Sequence, residues 1–153
     1  MICLPALCQA TNNCAWINEA TVSGLLGGEA VGAVTEAAAG QPAVCTFTQQ
    51  GDKGKRTLRV TVEIAMDSHA RLSAIAQACG ADAFPLRAIG NEALICAADE
   101  DKKRMGERVV GRVRDQVFTI TISTSLKNDP VLTSDALKSR IYTAAEQVSG
   151  NLF

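Results

Sequence analysis

Hydrophobic and polar residues alternate most strictly between Thr57 and Ile64, where Leu58, Val60, Val62 and Ile64 are separated by Arg59, Thr61 and Glu63. A period of two marks a strand with one dry face and one wet face. Val44 to Gln49 repeats the pattern, with Cys45 and Phe47 on one side and Thr46 and Thr48 on the other. Gly51 to Gly54 between these runs predicts a hairpin loop, and a weaker strand is expected around Ala30 to Val34. After a loop through Phe84-Pro85, an apolar strand is predicted from Glu92 to Ala98. Two more follow, Arg108 to Arg114 and Gln116 to Thr124, joined tightly at Arg114-Asp115. In the last of these, Phe118, Ile120 and Ile122 face in, opposite Val117, Thr119, Thr121 and Ser123.

Three stretches change to the helical period. Asn18 predicts a cap for a helix from Glu19 to Leu26, with Gly27-Gly28 as its stop. Asp67 or Ser68 opens a second helix, in which Leu72, Ile75, Ala76 and Cys79 fall on one face before Gly80. Thr133 or Ser134 caps the last, whose stripe is Leu137, Ile141, Ala144, Ala145 and Val148, with Gly150 as its end. Residues 1–13 read as a flexible lead-in. Glu36 to Pro42 reads as an Ala/Gly-rich loop, and Asp99 to Arg104 as a charged turn. The expected fold is α+β in the order α-β-β-(β)-α-β-β-β-α. It is a single domain over 14–153, built on an antiparallel sheet of about five to six strands with the helices on one face.

Composition narrows the function classes. The chain has 153 residues, 47% of them apolar, and a formal charge of −1. No large net field steers it to nucleic acid. Aromatics at 4% argue against a stacking platform for single strands. No run approaches the roughly 18 apolar residues of a membrane span. Met1 to Leu7 lacks a basic start and is too short for a signal core. In Leu4 to Cys8, Leu7 stands where a lipoprotein cleavage box needs a small residue.

The six cysteines, Cys3, Cys8, Cys14, Cys45, Cys79 and Cys96, contain no CxxC pair. With His69 the lone histidine, a zinc site is not expected. An even count outside a metal pattern favours disulfides and an oxidising compartment, periplasmic, cell-surface or secreted.

From Cys14 to Val148 the chain resembles a family of small exported bacterial domains, many of them lipoproteins, of unknown function. The residues that carry the resemblance begin with Cys14-Ala15-Trp16-Ile17-Asn18, the helix closing at Gly27-Gly28 and Cys45-Thr46-Phe47. They continue with the alternating Thr57 to Ile64, Ile89-Gly90-Asn91-Glu92-Ala93, Val109 to Ile122 and the closing helix. The resemblance implies a Cys14–Cys45 bridge and no established activity. Asn91 departs from the Asp usual in that element.

Six cysteines allow fifteen complete pairings. Placement favours Cys14 with Cys45, because Cys14 precedes the first helix and Cys45 faces inward. It also favours Cys79 on the second helix with Cys96 in the next strand. Cys3 and Cys8 either pair locally or remain mobile.

Candidate chemistry is sparse. His69 sits in the first turn of a helix, where the dipole disfavours imidazolium, and reads as a surface or capping residue. Gly51-Asp52-Lys53-Gly54-Lys55-Arg56 lacks phosphate-loop spacing and reads as a hairpin tip. Asp99, Glu100 and Asp101 lack the pattern of a calcium loop. No catalytic residues and no cofactor are assigned, and an enzyme is not expected. Arg59, Arg112 and Arg114, with Thr61, Thr119 and Thr121, are the candidate binding surface on the outward sheet positions. The expected role is a non-enzymatic exported domain that binds a protein or cell-envelope component. The alternative is a sensor or carrier holding a small ligand between sheet and helices.

Overall fold

The computed structural model describes residues 13–35, 41–98 and 104–153. Its frame is one antiparallel sheet of seven strands: β1 (Val31–Thr35), β2 (Ala43–Gln50), β3 (Lys55–Ile64), β4 (Phe84–Leu86), β5 (Glu92–Ala97), β6 (Met105–Val113) and β7 (Gln116–Thr124). Their order across the sheet is β1-β2-β3-β7-β6-β5-β4. Two meanders, β1-β2-β3 and β4-β5-β6-β7, thus meet along the β3–β7 seam. Helices α1 (Glu19–Leu26), α2 (Ser68–Ala76) and α3 (Ser134–Gly150) complete the described structure, with a 3-10 segment at Gln77–Asp82.

The expected helix caps are in place. Asn18, Asp67 and Thr133 each accept a backbone N–H from the residue three positions on, which satisfies an otherwise orphan donor. Gly27, in the left-handed region, closes α1.

The strand count exceeds the expected five to six. Three strands precede α2 and four follow it. The extra strand is β4, at Phe84-Pro85-Leu86, where a loop was expected. Proline cannot donate to a ladder, but β4 lies at the sheet edge with one neighbour, where a missing N–H costs little.

A larger correction concerns the helices, which do not share one face. Register alone decides this. Cys45 lies in a row with Val60, Ile120, Val109 and Ile95, so Cys96, next to Ile95, projects from the opposite face. Cys14, just before α1, is bridged to Cys45, and Cys79, just after α2, is bridged to Cys96. The two cystines therefore fasten segments to opposite sides of the sheet. They join the pairs that placement favoured, while Cys3 and Cys8 lie outside the described residues, as do the lead-in over 1–12 and most of the two loops at 36–40 and 99–103.

The first face carries the main core. Phe47, Leu58, Val60, Phe118, Ile120 and Ile122 from the sheet meet Val22 and Leu26 of α1 and Leu137, Ile141, Ala144, Ala145 and Val148 of α3. The second face carries a smaller cluster, in which Leu72 of α2, Cys96, Ala98, Val110 and Val117 are buried apart from the main core. The Ile89-Gly90-Asn91 turn braces this end. Gly90 has φ 59°, and a Cβ there would meet the Arg112 carbonyl at 2.5 Å. Asn91 Oδ1 accepts the Arg114 amide at 2.6 Å.

Candidate functional site

The second face is only half covered. Helix α2 packs against β6 and β7, and among the described residues no helix lies over the same face of β1, β2 and β3. Register brings Thr46 of β2, Arg59 of β3 and Thr121 of β7 side by side, with Thr57 and Thr61 flanking Arg59 along its own strand. Thr48 and Thr119 extend the field. These threonines are half-buried and Arg59 is exposed, while Arg108 Nε of β6 donates to Thr121 Oγ1 at 3.5 Å. Arg59 has no hydrogen bond or ion pair among the described residues. No carboxylate lies on this face of β1, β2 or β7, and on β3 the first is Glu63, beside α2.

The other two candidate arginines are elsewhere. Arg112 Nε donates to Glu92 Oε1 at 2.7 Å, and His69 Nδ1 of α2 donates to the same oxygen. Burial pushes the Glu92 carboxyl up, but the hydrogen bonds from Arg112 and His69 outweigh it and hold it below the usual carboxylate range. Two residues along α2, Arg71 grips both oxygens of Glu63 at 3.1 Å. Glu63, Val117, Arg112 and Glu92 form one transverse row, so these contacts lash α2 across it. Arg112 is thereby committed to Glu92, the carboxylate that His69 of α2 also reaches.

Arg114 lies beyond that row, in the two-residue turn between β6 and β7, with φ 56°. Its carbonyl accepts the Ser68 hydroxyl at the start of α2. Helix α2 therefore stands between Arg59 and Arg114. Arg59 and Arg112 are two strands and four residues apart, roughly 16 Å from strand geometry. The three arginines do not form one patch, and only Arg59 belongs to the threonine field. His69 helps to hold α2, a role that sequence reading missed because Glu92 is 23 residues away.

A second polar cluster also escaped the sequence reading. Arg56 Nε and Nη2 donate to Asp129 Oδ2 and Oδ1 at 2.8 and 2.9 Å, while Arg56 Nη1 reaches Gln49 Oε1 at 2.9 Å. Thr124 Oγ1 and the amides of Val131 and Leu132 also donate to the Asp129 carboxylate. Burial pushes Asp129 up, but Arg56, Thr124 and the two amides dominate and hold it far below the usual carboxylate range. Each oxygen is saturated with donors. The cluster is a joint between β2, β3, β7 and the loop before α3, with no lone pair left for chemistry.

Clefts lie at the perimeter. One of about 410 Å³ runs between α2 and the β4–β5 edge, lined by Leu72, Ser73, Pro85, Arg87, Glu92 and Leu94 among others. Another of about 290 Å³ lies beside α1 and β1. Between the sheet and α1 and α3, by contrast, Leu26, Phe118, Ile120 and Ile141 are fully buried in one packed cluster. Among the described residues no three His, Cys, Asp or Glu side chains gather as a metal site, and no helix is long and apolar enough to cross a membrane. Comparison of the chain with family models, with curated proteins and with solved structures finds no match.

Proposed function

We propose that this chain is a non-enzymatic exported domain that binds an acidic protein or cell-envelope component through the bare half of its second face. The observation that carries the reading is the exposed Arg59 standing in a field of threonine hydroxyls with no partner and no carboxylate beside it among the described residues. An acidic group reaching Arg59 accepts charge-assisted hydrogen bonds from the guanidinium, and neighbouring hydroxyls supply further donors at a fixed spacing. Rigid strands hold those donors in place, so little side-chain entropy is lost on contact. Two cystines, Cys14–Cys45 and Cys79–Cys96, suit an oxidising compartment. The resemblance of Cys14 to Val148 to small exported domains points the same way.

The test is capture from envelope extract with the oxidised protein immobilised, run beside Arg59→Glu and Thr121→Ala. We expect a partner retained by the native chain to be lost with Arg59→Glu, and its binding to weaken as salt rises. Equal capture by the native chain and Arg59→Glu would remove this face from the function.

A further inference from the structure

The two edges of the sheet differ. Edge strand β4 has three residues and contains Pro85, both of which blunt an edge against further pairing. Edge strand β1, Val31-Gly32-Ala33-Val34-Thr35, is longer and has no proline and no charge. Val31 is 69% exposed. Backbone groups along an antiparallel edge alternate between the partner strand and open space. The Gly32 amide is one of the outward groups, because it donates to Glu19 Oε2 of α1 at 3.1 Å rather than to β2. By alternation the Val34 amide and the carbonyls of Gly32 and Val34 also point outward.

Beside this edge lies the 290 Å³ cleft on the α1 side, lined by Cys14, Asn18, Glu19, Gly32, Val34 and Phe47 among others. Val34 and Phe47 give it an apolar side, and among the described residues its one charged lining residue is Glu19. A side chain at position 32 would fill it, since a Cβ there meets Phe47 Cε1 at 2.8 Å and Glu19 Oε2 at 3.4 Å.

We propose that β1 is a docking edge for an extended segment of another protein that carries a lysine or arginine. The incoming strand takes the Gly32 and Val34 backbone groups, which gives the peptide main-chain hydrogen bonds. Its basic side chain lies over Gly32, with the methylene stem against Phe47 and the charged head at Glu19. Glu19 exchanges the Gly32 amide for that cation. A second copy of β1 fits less well, because two-fold pairing centred on Ala33 sets Gly32 opposite Val34 and brings two Glu19 carboxylates to the same short edge. This inference does not depend on the Arg59 reading: it uses the opposite face and the opposite charge.

The test uses the whole oxidised protein and three blocked peptides of alternating threonine and valine, with lysine, norleucine or glutamate at the centre. Fluorescence anisotropy is expected to give at least tenfold tighter binding for the lysine peptide than for the glutamate one. Glu19→Gln should abolish that preference. Val34→Pro, which removes an outward N–H that β2 does not use, should abolish binding while leaving the melting temperature nearly unchanged. A lysine peptide N-methylated along one edge should fail to bind the native chain, which checks the backbone contacts without altering the fold. Equal affinity for all three peptides, or binding of none, overturns the proposal. So does sedimentation showing a native dimer that Val34→Pro dissolves, which would assign the edge to a second copy.

Discussion

The two faces of the sheet are built from the same strands and serve different ends. On the first, α1 and α3 close over a continuous apolar layer that includes Phe118, Ile120, Ile122 and Ile141. On the second, α2 covers one corner with Leu72 as its main buried side chain, held by Arg71 at Glu63 and His69 at Glu92. The first face supplies the apolar burial that offsets the entropy of ordering the chain. The second is covered only in part among the described residues, and a sheet already stabilised from its other side can present half-buried threonines and an exposed arginine at little cost.

The contrast can be broken or sharpened by substitution. The largest effect is expected at the joint rather than on either face. Asp129→Ala leaves Arg56 without its buried partner and should lower unfolding free energy by about 3–5 kcal/mol in a urea titration. Removing the Cys14–Cys45 bridge with paired alanines should cost about 4 kcal/mol by chain entropy, against about 3 for Cys79–Cys96, whose loop is shorter. Amide exchange after losing Cys79–Cys96 should rise in α2 and remain slow in α3. Between the faces, Ile141→Ala should destabilise by about 3–4 kcal/mol and Leu72→Ala by about 2. A larger loss at Leu72 would reverse the assignment of the main core. On the bare surface, Thr121→Ala should stay within about 0.5 kcal/mol.

Acid should act through two carboxylates. Asp129 and Glu92 both titrate below the ordinary carboxylate range in the folded chain. Their contributions are present above the unfolded value of about 4 and are lost as pH falls through the depressed folded values. Denaturant midpoints should therefore fall below about pH 4, and Asp129→Ala should flatten that fall. An unchanged acid slope in Asp129→Ala would detach the joint from the pH dependence.

The sequence made the strands legible because a period of two is written into Leu58-Val60-Val62 and Phe118-Ile120-Ile122. Caps at Asn18, Asp67 and Thr133 were legible because their chemistry is local. Which side each helix takes is not local, and one-sided coverage was the wrong reading. A signal did exist. Leu94-Ile95, Val109-Val110 and Val117-Phe118 are apolar doublets that interrupt alternation on β5, β6 and β7. Strands buried on both faces read this way; α2 lies over β6 and β7 and the 3-10 segment that follows it lies against β5. The Arg56–Asp129 joint spans 73 residues, and Arg56 looked like part of a solvated hairpin. The grouping of Arg59, Arg112 and Arg114 failed because parity places side chains on a face but says nothing of the helix that crosses it.

Each cystine lies wholly within one meander, Cys14–Cys45 before β3 and Cys79–Cys96 after it. Among the described residues no covalent link crosses the β3–β7 seam. During synthesis both sulfurs of the first bridge appear before any residue of the second meander. Each bridge can thus close without the other half of the sheet, and the β3–β7 ladder is the pairing that joins the two halves.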